Sequence, residues 1–313
     1  MYERFASLHD LATKVRYQLP AGITAFTLDV LMTILSGIDL DVLDQADEIL
    51  SSTSGGKDSQ VAMLIAVAVG KALGIPVRGV HADLGDVEWE GTKALAIEQG
   101  RVMGVEVVVV EKEGGTLLDR VGQPLSKGNR VGQPRPWPGP ATRWCTSDHK
   151  RGPINKLITS LSIQFKAEHG RPIRLIHIDG RRAQESTARA KLATSELRRR
   201  CQGAGKVVVD WLPIHTLTED QVWKVINAGG TGPSHHAYDL GMPRLSCVFC
   251  IFAPRPALIL AGHHNRALLR RYVEKEELID FTFRQDLSLK EVEEAVERGE
   301  GADLQVKDGA WNM

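Results

Sequence analysis

The chain is short of cysteine and has no surplus of charge. Only four cysteines, Cys145, Cys201, Cys247 and Cys250, stand in 313 residues. A chain of this length needs no disulfides to hold a core, so metal ligation, redox chemistry or plain burial are the readings left for its thiols. Basic and acidic residues number 39 each. That balance argues against generic adhesion to nucleic acid or membranes, though local patches still count. Long hydrophobic runs are missing too: the nearest, VAMLIAVAVGKALGI, is interrupted by Lys71 and falls short of a bilayer span. The opening MYERFASLHD mixes charges early and lacks a secretory apolar stretch. The expectation is a soluble, cytoplasmic protein with no membrane partner, built as one large domain or as one domain with an appendage.

What is present is an alternation. Residues 1–45 read as a helical N-terminal extension, with Leu28, Val30, Leu31 and Ile34 recurring roughly at helical spacing. From residue 46, EILSST, IPVRGVHAD and VEVVVVEK read as strands, with helices over 59–73 and GTKALAIEQGRVMG between them. PIRLIHI and KVVVDW add two more strands. This order predicts βαβ units and a doubly wound, mostly parallel α/β sheet over 46–255. A helical C-terminal extension over 256–313 follows. Ligands of such sheets bind beyond the carboxyl ends of the strands, where SGGKDS, HADLGD and DGRRAQES lie. Residues 120–143 break the pattern: proline and glycine dominate and RVGQP occurs twice. This reads as a local duplication inside a long loop, and such loops are usually functional or disordered.

The stretch SSTSGGKDSQ sits at a strand-to-helix junction. A phosphate needs backbone N–H groups aimed at it with no side chains in the way. Gly55 and Gly56 permit that approach, and the helix start adds partial positive charge. Lys57 can neutralise phosphate charge, and Ser54 and Ser59 can donate hydrogen bonds. Asp58 would be repelled by bare phosphates, which suggests a magnesium ion between them. The competing reading is an ordinary sharp turn with Asp58 as N-cap. The spacing is not that of a Walker A loop.

The turn resembles the SGGKDS pyrophosphate loop of the ATP pyrophosphatase superfamily, and more closely its phosphoadenylylsulfate (PAPS) reductase-like branch, whose fold is of the adenine nucleotide α-hydrolase type. HADLGDVEWEGT is similar to that branch's second-strand motif through Asp83, Gly85 and Glu88. RWCTSDHKRGPI resembles its Arg-x-Cys-Thr motif, and GRRAQESTAR its arginine motif through Gly180, Arg182, Glu185, Ser186 and Arg189. WLPIHTLTEDQVWKVI and HHAYDLGMPRLSCVFC resemble two further segments. Together they cover roughly residues 46–255 in order.

The resemblance implies an adenine nucleotide, ATP or an adenylyl sulfate, bound by Ser54, Gly55, Gly56, Lys57, Asp58, Ser59, Asp83, Gly180, Glu185 and Ser186. It implies catalytic roles for Lys57, Asp58, Arg182 and Arg189, with magnesium on Asp58 and, less firmly, Asp83. An arginine is more often simply a solvated surface charge; the motif sets these apart. His81 either contacts adenine or merely ends a strand. Reductases of this branch use a cysteine within a C-terminal Glu-Cys-Gly-Leu-His motif. This chain has no cysteine after Cys250, so an ATP pyrophosphatase serving sulfur transfer fits better than sulfite release. The ATP pyrophosphatases of DNA phosphorothioation share the core and lack that tail. The resemblance thus points to DNA and a sulfur donor, such as a cysteine desulfurase, as partners. The alternatives are a sulfonucleotide reductase or a non-catalytic nucleotide- and DNA-binding subunit. Oligomeric state is left open.

CVFC carries the common spacing for clamping one metal or cluster. Four thiolates, Cys145, Cys201, Cys247 and Cys250, would suit a [4Fe–4S] cluster, the resemblance favouring iron–sulfur, with zinc as the alternative. A two-cysteine redox pair and buried unliganded thiols compete with this, and His235 and His236 could substitute as ligands. Two segments are basic: Arg120–Arg151, with Lys127, Arg130, Arg135, Arg143 and Lys150, and Arg181–Arg200, with Arg189, Lys191, Arg198 and Arg199. Trp137 and Trp144 sit among the first group. Cations interleaved with aromatics suit nucleic-acid contacts; a nucleotide pocket plus ordinary solvated charge explains them equally. No helix-turn-helix or finger pattern accompanies them.

Overall fold

A computed structural model of the chain describes residues 3–126, 131–203, 205–302, 304 and 306. Lys127, Arg130, the Arg200 side chain and most of the tail LQVKDGAWNM lie outside the described residues. The chain runs α1 (Leu8–Gln18), α2 (Leu28–Leu35), α3 (Leu40–Asp44), β1 (Glu48–Ser52), α4 (Lys57–Leu73), β2 (Val77–Asp83), α5 (Thr92–Met103), β3 (Val107–Glu111) and α6 (Leu117–Arg120). It continues through α7 (Trp144–Thr146), α8 (Gly152–His169), β4 (Ile173–Ile178), α9 (Thr187–Ala190), β5 (Ser195–Leu197), β6 (Lys206–Trp211) and α10 (Glu219–Asn227). Three helices close it: α11 (Arg255–His264), α12 (Arg266–Ile279) and α13 (Leu289–Glu297).

Six strands form one sheet in the order β3-β2-β1-β4-β6-β5. β1 pairs in parallel with β2 and β4, and β4 with β6; β5 runs antiparallel to β6. The mostly parallel α/β sheet expected from the alternation is therefore present. Chain order reverses between β1 and β4, which makes the crevice beyond their carboxyl ends the topological switch point. β5 was not legible in the sequence. It is three residues long, reads SEL, and takes its shape from its neighbour rather than from its own apolar pattern.

The described residues fall into two compact units. One comprises residues 1–82, 92–110 and 154–235; the other comprises 83–91, 111–153 and 236–313. In the first unit α4 is buried on every side, from Val61 through Val69, as an all-round apolar helix must be. Leu11 and Val15 of α1 and Leu31 and Leu35 of α2 share its core. The N-terminal helices thus complete the apolar cover of α4. A separate cluster of Leu50, Val80, Leu175, Val208, Ile154 and Ile158 joins strands β1, β2, β4 and β6 to α8.

Two details of this unit brace the switch point. The backbone of Gly180, just after β4, lies against the start of α4: a Cβ there would come within 2.8 Å of the Asp58 carbonyl carbon and of the Ser59 nitrogen. On the sheet, Ser52 Oγ lies 2.8 Å from His177 Nε2, and His177 Nδ1 lies 2.8 Å from Asp210 Oδ1. Arg198 Nε donates to both Asp210 oxygens at 2.9 Å. Burial alone would raise the Asp210 carboxyl, but the bonds from His177 and Arg198 outweigh it and hold it at about 2. Burial pushes His177 down, against the pull of Asp210 and with that of Arg198.

In the second unit α11, α12 and α13 enclose their own core, with Trp137 stacked on Tyr272 at 5.2 Å. The stretch PALILAGHHNRALLRRYVEKEEL is two helices, broken at Asn265 (φ −136°). The RVGQP duplication forms the two arms of a hairpin: Leu125 N donates to Gln133 O at 2.9 Å and Arg135 N to Gln123 O at 2.8 Å.

Two outcomes are expected. Gly180→Ala must push backbone away from the start of α4, and urea unfolding should show a loss of about 1–3 kcal/mol; unchanged stability would contradict the close approach. For pH, the sign follows from depressed folded values. The Asp210 contribution, about 2 kcal/mol, is present above the unfolded value of 3.8 and lost as pH falls through about 2. His177 resists protonation in the fold, so stability begins to fall below the ordinary 6.5. Urea midpoints should drop between pH 7 and about pH 5, and drop less in His177→Gln.

Candidate functional site

The first unit's site begins where β1 runs into α4. Gly55 takes φ +72°, a region that residues with a Cβ avoid. Gly56 is the N-cap of α4 and contributes no side-chain cap. Asp58 is therefore inside the first helical turn rather than capping it. Ser54 N donates to Ser59 Oγ at 3.1 Å, the two hydroxyls lie 3.2 Å apart, and Ser59 Oγ donates to Gly56 O at 2.9 Å. Residues 54–59 thus close on themselves and present the helix N-terminus, which favours negative charge.

The charged side chains around this turn are deeply placed. Lys57 is 1% exposed and Arg182 0%. Lys57 Nζ lies 3.8 Å from Asp58 Oδ2 and 3.4 Å from Glu219 Oε1. Arg182 Nε donates to Asp58 Oδ1 at 2.6 Å, and its Nη1 donates to Gln184 Oε1 at 2.9 Å. The same Gln184 oxygen accepts from Glu219 N at 2.7 Å. Glu185 accepts from Arg182 N at 2.8 Å and from Arg189 Nη1. Ser186 caps α9 by accepting from Arg189 N at 3.1 Å. Three cations thus face three carboxylates, the arrangement that burying charge requires.

Lys57, Asp58, Arg182, Glu185, Ser186 and Arg189, scattered over some 130 positions of sequence, are joined by these contacts, with Gly180 packed beneath. Gln184 and Glu219 belong to the same network and were missed. Both lie inside segments already singled out. The signal that would have found Glu219 is the need of a buried lysine for a carboxylate, and burial is not visible in a sequence. His81 ends in a contact with backbone: its Nδ1 lies 3.0 Å from Thr53 O.

The second unit holds Asp83, the last residue of β2, whose Oδ1 accepts from Gly85 N at 2.8 Å. It also holds three of the four thiols. Burial pushes the Cys247 thiol up to about 12, with Lys150 acting in the opposite sense and Cys250, Glu88 and Cys145 adding to the rise. Burial raises Cys250 as well, against a backbone N–H from Phe252. Burial would lower Lys150, yet its value is raised by Cys247, Glu88, Cys250 and Cys145 around it. Burial favours the neutral form of Cys247 and Cys250, while Lys150 favours their thiolates; deprotonated, Cys145, Cys247 and Cys250 are soft donors of the type that zinc or an iron–sulfur cluster takes. Cys201 belongs to the first unit, where it is buried beside α8 and its thiol donates to Asn155 Oδ1 at 3.2 Å.

No curated protein matches the chain in sequence. Among solved structures, an FMN adenylyltransferase of Candida glabrata is 12% identical, with 78% of this chain and 72% of that one covered and a TM-score of 0.43. A phosphoadenylyl-sulfate reductase of Candida auris, in a phosphate complex, is 14% identical over 77% and 96%, with a TM-score of 0.42. A U34-tRNA thiolase of Methanococcus maripaludis, with its [4Fe-4S] cluster, is 14% identical over 97% and 84%, with a TM-score of 0.38. Likenesses this distant carry no residue roles. The family model described as phosphoadenosine phosphosulfate reductase domain matches residues 144–253, the stretch that supplies Cys145, Arg182, Arg189, Glu219 and the Cys247–Cys250 pair.

Proposed function

We propose that the chain is an ATP pyrophosphatase that adenylates an oxygen for sulfur transfer, with a DNA backbone phosphate as the acceptor, in the cytoplasm. The observation that carries this reading is the burial of Lys57 and Arg182 at the glycine-rich start of α4. Two cations are sunk at a place where a helix dipole and a side-chain-free turn already favour phosphate.

In the reaction, the acceptor oxygen attacks the α-phosphorus, the bond to the oxygen bridging α and β breaks, and pyrophosphate leaves with the electron pair. Lys57, Arg182 and Arg189 stabilise the charge that gathers on the leaving phosphates. Arginine serves well there because its planar fork meets two oxygens at once. Glu219 and Glu185 hold Lys57 and Arg189 in place before nucleotide arrives. Asp58 is paired with Arg182 and would be the magnesium ligand; magnesium would offset phosphate charge. Cys145, Cys247 and Cys250 would hold the iron–sulfur cluster or zinc, which would serve the sulfur-transfer side of the chemistry. The resemblance to sulfur-handling enzymes supports this assignment.

Wild-type protein with ATP, magnesium, DNA and a sulfur donor should release pyrophosphate; no release would overturn the reading. Lys57→Ala should slow release by about 100-fold or more. If the chain were a nucleotide-binding subunit, the same change would weaken binding with no turnover to lose. A reductase would instead release sulfite from PAPS in the presence of thiol. Iron and zinc analysis, with an anaerobic absorption spectrum, should show metal in the wild type and its loss in Cys145→Ser, Cys247→Ser and Cys250→Ser.

A further inference from the structure

The second unit carries a group of cations that the nucleotide site does not use. Arg120, the last residue of α6, and Arg135, on the second arm of the RVGQP hairpin, converge on one carboxylate. Arg120 Nη2 lies 4.0 Å from Asp148 Oδ2, and Arg135 Nη1 lies 3.7 Å from the same oxygen. The hairpin sets this meeting: Gly122 N donates to Arg135 O and Arg135 N to Gln123 O, both at 2.8 Å. The guanidinium of Arg135 lies 5.0 Å from the Trp144 ring. His149, 1% exposed, packs its ring 5.9 Å from the same tryptophan.

This group is short of acceptors. The Nε atoms of Arg120 and Arg135 and Nε2 of His149 are buried with no hydrogen-bond partner among the described residues. Two guanidiniums share one carboxylate at distances too long for good hydrogen bonds. Burial lowers Arg135, and the charge on Arg120 lowers it further against the pull of Asp148. His149 is pushed down to about 4 by burial and then by Arg120, with Lys112 and Arg135 adding to this. A buried donor left without a partner costs free energy, and a further anion is the species that would satisfy all three groups.

We propose that Arg120, Arg135 and His149 form an oxyanion site that takes a phosphate group, with Trp144 beside it. Two guanidiniums suit the several oxygens of a phosphate better than one carboxylate does. The source of the phosphate is a nucleic-acid strand or free inorganic phosphate; an aromatic next to the cations suits a strand, whose bases can stack. The site concerns the acceptor side of the reading above and does not depend on nucleotide turnover, so pyrophosphate assays and these binding assays fail separately.

The test uses the full-length chain without ATP. Fluorescence anisotropy follows a labelled single-stranded and a duplex DNA oligonucleotide over a salt series, and calorimetry follows inorganic phosphate. Arg120→Gln with Arg135→Gln should weaken whichever ligand binds by about tenfold or more. For DNA the slope of log affinity against log salt should shrink by about 1 per lost contact. Asp148→Asn removes the competing carboxylate and should tighten binding several-fold, whereas a purely structural ion pair predicts destabilisation with no gain in affinity. DNA weakened by the arginine changes identifies a strand as the source. Phosphate weakened, with DNA binding the same in wild type and variant, identifies the free anion. If neither ligand distinguishes the variants from wild type, with all chains folded by circular dichroism, the site does not exist.

Discussion

Charge buried at the start of α4 is the constraint around which the first unit is arranged. Lys57 and Arg182 are out of water, and neither can stay there alone. Asp58 and Glu219 answer them within the protein, and each comes from a different place in the chain. The glycine-rich turn delivers Lys57 and Asp58, the segment after β4 delivers Arg182, and the N-terminus of α10 delivers Glu219. Elements that share no local sequence relation are therefore tied together by one electrostatic requirement. On the proposed reading, a nucleotide triphosphate tail would bring negative charge into the same balance. Its arrival would release carboxylates from cations, which is how a site can be both stable when empty and strongly attractive to phosphate.

The scaffold below makes that placement rigid. The order of strands reverses between β1 and β4, opening the crevice, and the Ser52–His177–Asp210–Arg198 chain of contacts links three adjacent strands just beneath it. Gly180 lets the segment after β4 press against the backbone of α4. Without that close packing Arg182 would stand farther from Asp58. In the proposed reaction, position is most of what the protein would contribute, so the backbone contact and the ion pairs belong to one device.

The second unit follows a different electrostatic logic. Its thiols raise the value of Lys150, and its arginines crowd a single aspartate. At the start of α4 three cations meet three carboxylates; at Asp148 two guanidiniums share one. An excess of this kind is costly to a protein unless something else is bound.

Much of the glycine-rich turn's shape was legible in sequence. SGGKDS between an apolar strand and an apolar helix has one sensible backbone, because only glycine enters the left-handed region freely and only a helix start gathers unsatisfied N–H groups. The parallel sheet was legible as well, since strand and helix periodicities alternate along the chain. Other features were decided by tertiary structure. Glu219 and Gln184 carry no signal of their own in the sequence until folding sets them beside Lys57 and Arg182. The competing reading of Asp58 as a cap gave way to Gly56, which takes that place. The RVGQP repeat read as loop until its two copies were seen to pair. Local pattern reports what a backbone can do with its own neighbours, while the sharing of a buried charge or a hydrogen bond depends on which distant segments meet, and that is settled only when the chain is packed.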